Sequence, residues 1–153
     1  MKNLTSFAAL GEALAGAVGR LEVTLQAVAT ASAEMVEAEA KSEFGTYQRS
    51  NMGPFRSWEE LAASTKERRL QEGFAENDPL LKTGELRESI THSVGPASFA
   101  VGSESKVMLW QELGVDKTNL PPRPVLQTAL FRMTGNIQEV LGWSVKTTLE
   151  GGL

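Results

Sequence analysis

The sequence predicts an α+β fold: a long N-terminal helix, a small antiparallel β-hairpin, several short helices and a C-terminal helix. Three observations predict it. Leu4 to Phe44 contains no proline and carries a helical apolar repeat; Ser89 to Gly102 alternates around Gly95-Pro96-Ala97; and helical periodicity returns after Pro124. With 153 residues the chain is about one domain long, divided into a helix over 1–44, an α+β body over 45–149 and a frayed tail over 150–153.

In the N-terminal stretch, apolar side chains fall at Phe7, Leu14, Val18, Leu21, Leu25, Val28 and Met35, with Gly11 and Ser32 filling the series. Steps alternate between four and three, the mark of a heptad-like seam. At about 1.5 Å per residue such a helix reaches roughly 57 Å, more than the width of a domain this size. Part of it must overhang or meet another chain, so Leu14, Val18, Leu21, Leu25 and Val28 are candidate subunit contacts. The alternative is a helix bent over its own core, its early part weakened at Gly11, Gly16 and Gly19 by about 1 kcal/mol each.

Gly45 is a helix stop signal, and Gly45 to Arg56 is polar, with a Gly53-Pro54 turn signal. Ser57-Trp58-Glu59-Glu60 matches a capping box and predicts a helix from there to about Gln71. Trp58 reads as a core or interface anchor on a face shared with Leu61, Ala62, Thr65 and Arg69, and Glu67-Arg68-Arg69 as a solvated helix face, with phosphate contact the alternative. Thr83 can cap a short helix ending near Glu88.

The hairpin follows. Ile90, His92 and Val94 share one face of the first strand, and Phe99 and Val101 can pair with them from the second. Ser103 or Ser105 caps a helix that stops at Gly114, a natural left-handed cap. On it Val107, Trp110 and Gln111 lie on one face and Met108 and Glu112 on another. Val115 to Pro124 is extended or looped, because Pro121, Pro122 and Pro124 remove amide donors and restrict their neighbours. Arg123 is displayed by this stiff backbone, and a bidentate pair with Glu112 would tie it to the preceding helix. Pro124 suits the start of a last helix carrying Leu126, Leu130, Met133, Ile137, Val140 or Leu141, and Val145, with Gly135 and Gly142 as possible kinks.

Composition narrows the function. The hydrophobic share of 41% and charged share of 22% are those of a packed globular chain. A net charge of -4 argues against a dedicated nucleic-acid binder, which needs clustered positive charge. The absence of cysteine removes disulfides, thiolate metal sites and cysteine nucleophiles. No apolar run approaches a membrane span and the N-terminus has no secretory pattern, so a soluble, unsecreted protein is expected. There is no phosphate loop, dinucleotide fingerprint, zinc motif, calcium loop or nucleophile elbow. The single histidine, His92, lies on an apolar strand face without a partner for catalysis. No enzyme activity, cofactor or metal is expected; a small hydrolase using His92 is the remote alternative.

Three pieces in order carry a resemblance. Trp58-Glu59-Glu60-Leu61 with Thr65 and Arg69 comes first. Leu80-Leu81-Lys82-Thr83-Gly84-Glu85-Leu86-Arg87-Glu88-Ser89-Ile90 comes second. Val101-Gly102-Ser103, Gln111-Glu112-Leu113-Gly114 and Pro121-Pro122-Arg123-Pro124-Val125-Leu126 complete it. This order, over about residues 50 to 132, resembles the virion morphogenesis and tail-completion proteins of tailed bacteriophages. Leu113 and Val125 stand where that family favours Phe.

The resemblance implies a subunit of a homo-oligomeric ring, a hexamer, in the neck of the virion, made in the host cytoplasm. The ring would complete the tail and join it to the DNA-filled head, contacting the head-tail connector and the tail tube. DNA would pass through without sequence-specific binding, and no membrane is involved. A head-side stopper or a minor capsid-associated protein is the nearest alternative. Trp58, Trp110, Glu112, Pro121, Pro122, Arg123 and Pro124 join the helical seam as candidate subunit or neck contacts, with Trp110 and the proline segment foremost because stiff backbone and aromatic area bind at low ordering cost.

Overall fold

The computed structural model describes residues 6–48 and 52–151. The expected helix start at Leu4, part of the 45–56 loop and the end of the 150–153 tail lie outside them. The fold is mixed helix and sheet, in the order α1 (Phe7–Ser42), α2 (Ala63–Gln71), α3 (Glu85–Glu88), β1 (Ile90–Gly95), β2 (Ser98–Ser103), α4 (Lys106–Leu113), a 3-10 turn (Asp116–Thr118) and α5 (Leu126–Glu150).

α1 is capped by Ser6, whose hydroxyl accepts from the Ala9 amide at 3.1 Å. Its chain leaves through Gly45 (φ 83), a left-handed position whose amide donates to the Pro79 carbonyl at 2.9 Å. β1 and β2 form a two-stranded antiparallel sheet in which His92 faces Val101 and Val94 faces Phe99, the register their alternation predicts. A lone hairpin is marginal in water. Here α1 packs against both strands, and Ile90 is fully buried beneath it.

The other partner of α1 is α5, which runs antiparallel to it. Glu43 of the turn after α1 lies beside Thr128 and Arg132 at the start of α5, and Thr24 meets Thr148 near its end at 2.7 Å. The core sits at the first of these ends: Val36, Ala40, Phe44, Trp58, Ile90, Met108, Val125 and Ala129 form one buried cluster. The seam of α1 thus has two fates. From Val28 onward it is buried with Ala29, Ser32, Ala33, Val36 and Ala40; before Val28 the protomer's own core has ended.

The capping box at Ser57 does not start a helix. The Trp58 amide donates to the Gln48 carbonyl at 2.8 Å and the Leu61 amide to the Tyr47 hydroxyl at 3.1 Å, so donors of the expected first turn are bound across the fold instead. The segment stays without helix, and α2 begins only at Ala63. α5 is continuous from Leu126 to Glu150, so Gly135 and Gly142 are accommodated within it. Arg69 is buried, in line with the face it shares with Trp58 and unlike the solvated triplet: it is 8% exposed and donates to the Asp78 and Leu81 carbonyls at 2.6 and 3.2 Å.

Glu43 is the most consequential buried acid. Burial pushes its carboxyl up to about 7, against the lowering effects of the Thr128 hydroxyl at 3.0 Å and the Arg132 guanidinium at 3.1 Å. The folded chain therefore holds this proton more tightly than the unfolded chain, and stability falls as pH rises from about 4.5 through 7. Relative to Glu43→Gln, the wild type should lose on the order of 3 kcal/mol across that window. Urea melts of both proteins at pH 5 and pH 8 check this: a parallel pH dependence would show that Glu43 ionises normally.

Candidate assembly interface

The interface candidates divide by exposure into two groups. On α1, Leu14 and Val18 are 58% and 56% exposed, Leu21 and Leu25 are half-buried, and Val28 is 7% exposed. Sequence periodicity placed all five on one seam, but only the first four have apolar surface to offer a neighbour. Gly19 and Arg20 are the first α1 residues that line a groove with the end of α5, at Gly151. Residues 7–18 consequently extend about 18 Å beyond it.

The end of α5 adds apolar surface, at Leu141 and Val145 of its helical period and at Leu149 and Trp143 outside it. Leu141, Val145 and Leu149 line an open groove with Leu25, and Trp143 is 71% exposed. Phe7 at 94% and Val23 at 70% extend the exposed surface along α1. The only sequence signal for Trp143 is a large aromatic placed off the apolar stripe of an amphipathic helix. Together the two helix ends form an arm that carries exposed apolar side chains, Phe7, Leu14, Val18, Val23 and Trp143 among them.

The body presents a second apolar surface. On α4, Trp110 is 49% exposed, with Val107, Leu109 and Leu113 also exposed, while Met108 and Glu112 point inward. Pro122 is exposed and Pro121 half-buried, so this end of the proline segment borders open surface. Pro124 is buried.

Trp58, Glu112 and Arg123 have structural partners inside the chain. Trp58 is 6% exposed and belongs to the core cluster, which leaves no face of it for a neighbour. The expected Arg123–Glu112 pair does not form. The Arg123 guanidinium donates to the Glu59 carbonyl at 3.0 Å and its amide to the Gln111 carbonyl at 2.6 Å, so it anchors the proline segment between the 57–62 segment and α4. Burial holds this guanidinium below its ordinary pKa. Glu112 turns to α5: its carboxylate accepts from the amides of Val125 at 2.8 Å, Leu126 at 3.2 Å and Gln127 at 2.8 Å. Those are donors that the first helical turn leaves without intrahelical acceptors, and a negative charge there also meets the positive end of the helix dipole.

The turn between α4 and the proline segment depends on Gly114. Its φ is 74, and a Cβ there would lie 2.9 Å from the Leu120 carbonyl oxygen and 3.0 Å from the Pro122 nitrogen. Both obstacles are backbone, so Gly114→Ala should destabilise the chain by about 2 kcal/mol in urea melts, through left-handed strain and the clash together. A wild-type midpoint would show that the turn moves freely.

Chemistry is sparse. His92 Nδ1 is bound to the Glu37 carboxylate of α1, so it serves as a link between strand and helix. Among the described residues no group of three His, Cys, Asp or Glu side chains could hold a metal ion, and no helix is long and apolar enough to cross a membrane. Compared with protein-family models, with curated proteins and with solved structures, the chain gave no match.

Proposed function

We propose that this chain is a structural subunit of the neck of a tailed-phage virion, where copies close into a ring that completes the tail and joins it to the DNA-filled head. The observation that carries the reading is the apolar seam that continues along α1 past the protomer's own core, with Leu14 and Val18 more than half exposed. Among the described residues nothing of the same chain covers Leu14 and Val18; a neighbour in a ring would. The ordered run of short sequence patterns from Trp58 to Leu126 supplies the phage assignment.

In such a ring each arm lies on the adjacent subunit, a head-to-tail contact that closes by rotation. The exposed α4 face and Pro122 lie on the body, available to the connector or the tail tube. The reaction is binding throughout, and the acidic chain, at -4, suits a channel that must release DNA.

Assembly in the absence of the chain tests the assignment. Electron micrographs should show filled heads beside free tails that do not join. Empty heads would move the subunit to a head-side stopper, and normal infectious particles would remove it from the neck.

A further inference from the structure

A second concave surface lies on the body, away from the arm. It is a cleft of about 1300 Å³ lined by the 59–62 segment, α2, residues 80–86, α4 and the 118–121 turn. Its volume exceeds the range of roughly 300–1,000 Å³ typical of small-molecule sites. Leu61, Leu86, Val107 and Pro121 give it apolar walls.

Two buried arginines line it, and neither has a carboxylate partner among the described residues. Arg69 is 8% exposed and bonded to main-chain carbonyls; Arg123 is 4% exposed, bonded to the Glu59 carbonyl, and its Nε has no acceptor. Buried guanidinium groups without a counter-charge are costly unless something supplies one. Gln111, tied to Arg123 through the 2.6 Å backbone bond, has a buried side-chain oxygen with no donor. An unmet donor and an unmet acceptor thus belong to two residues that line the same cleft, the kinds of group a peptide bond complements.

The charge of the lining points the same way. With Lys82 held by Glu72 and Glu60 held by Lys66, the remaining charges are Arg68, Arg69 and Arg123 against Glu59 and Glu85, a positive excess on an acidic protein. Both described non-glycine residues with positive φ, Leu80 (63) and Asn119 (50), also line this cleft. Such backbone strain concentrates at binding sites.

We propose that this cleft binds an extended peptide segment of another chain, with a carboxylate side chain of that segment meeting Arg69 and Arg123 and its backbone meeting Gln111. Arginine suits the role because its planar fork matches a carboxylate. The inference is independent of the neck assignment, since it rests on the body and holds for whatever assembly the arm enters.

The probe is a mixed pool of acetyl-X-X-Glu-X-X-amide pentapeptides, titrated into the full ¹⁵N-labelled chain. The Arg123 Nε–H and Gln111 side-chain amide signals should shift, with at least tenfold weaker binding of the matched Gln pool and of acetate at equal carboxylate concentration. Arg68→Glu, at an exposed rim position, should weaken the Glu pool about tenfold while leaving the melting temperature unchanged. No shift at these residues, equal binding of the two pools, equal binding of acetate, or an unaffected Arg68→Glu protein would each overturn the proposal.

Discussion

Glu112→Ala should unfold the junction between the proline segment and α5, at a cost of about 3 kcal/mol in urea denaturation. The side chain is 9% exposed and its two oxygens serve three amides at the start of α5. Alanine leaves the Val125 amide, at a fully buried residue, without an acceptor in a place water does not reach. It also removes a negative charge from the positive end of a 25-residue helix, worth about 0.3–1 kcal/mol more. Glu112→Gln retains one acceptor but turns an amide group toward the helix donors, so it should fall between wild type and alanine. A Glu112→Ala protein with the wild-type urea midpoint would mean that α5 is capped from elsewhere.

The second large effect belongs to the arm. Leu14→Asp with Val18→Asp should abolish assembly while leaving the protomer folded, because both side chains are more than half exposed in the isolated chain. Burying each in a neighbour contributes about 1.5–3 kcal/mol, and placing a carboxylate there instead reverses the sign. Each contact between copies should weaken by at least 100-fold, about 2.7 kcal/mol or more. Sedimentation should give a single protomer with wild-type circular dichroism. An assembled double variant would place the subunit contact elsewhere, with the exposed α4 face around Trp110 the next surface to test.

Local patterns in the sequence were sufficient where local forces decide the structure. The four-and-three steps from Phe7 to Met35 follow from helix geometry, and the match of Val94 with Phe99 follows from strand alternation around a short turn. Gly114 was legible for the same reason, since a left-handed stop after a helix is a property of a few neighbouring residues. Residues whose partners are distant in the chain were not. Ser57 and Glu60 have the spacing of a capping box, yet amides of that segment are taken by Gln48 and Tyr47. Glu112 serves a helix that begins fourteen residues later, and nothing in its own helix marks it for that role. The flanking prolines suggest a displayed Arg123, whereas its side chain reaches inward to Glu59, 64 residues away in sequence.

The arm shows the same boundary between local and tertiary information. Periodicity placed Leu14 and Val28 on one seam. Only the length of α5, and the point where Thr148 meets Thr24, decides that Val28 is covered and Leu14 is open. The exposure of Trp143 is not legible in the sequence, because it depends on how α5 is rotated against α1.

The most direct measurement is the mass of the intact wild-type assembly by native mass spectrometry at micromolar concentration. Copies that close through the arm should give one discrete species, six times the 16.5 kDa protomer, with no ladder of open intermediates. A protein that remains at 16.5 kDa as its concentration is raised would contradict a seam built to be covered by a neighbour.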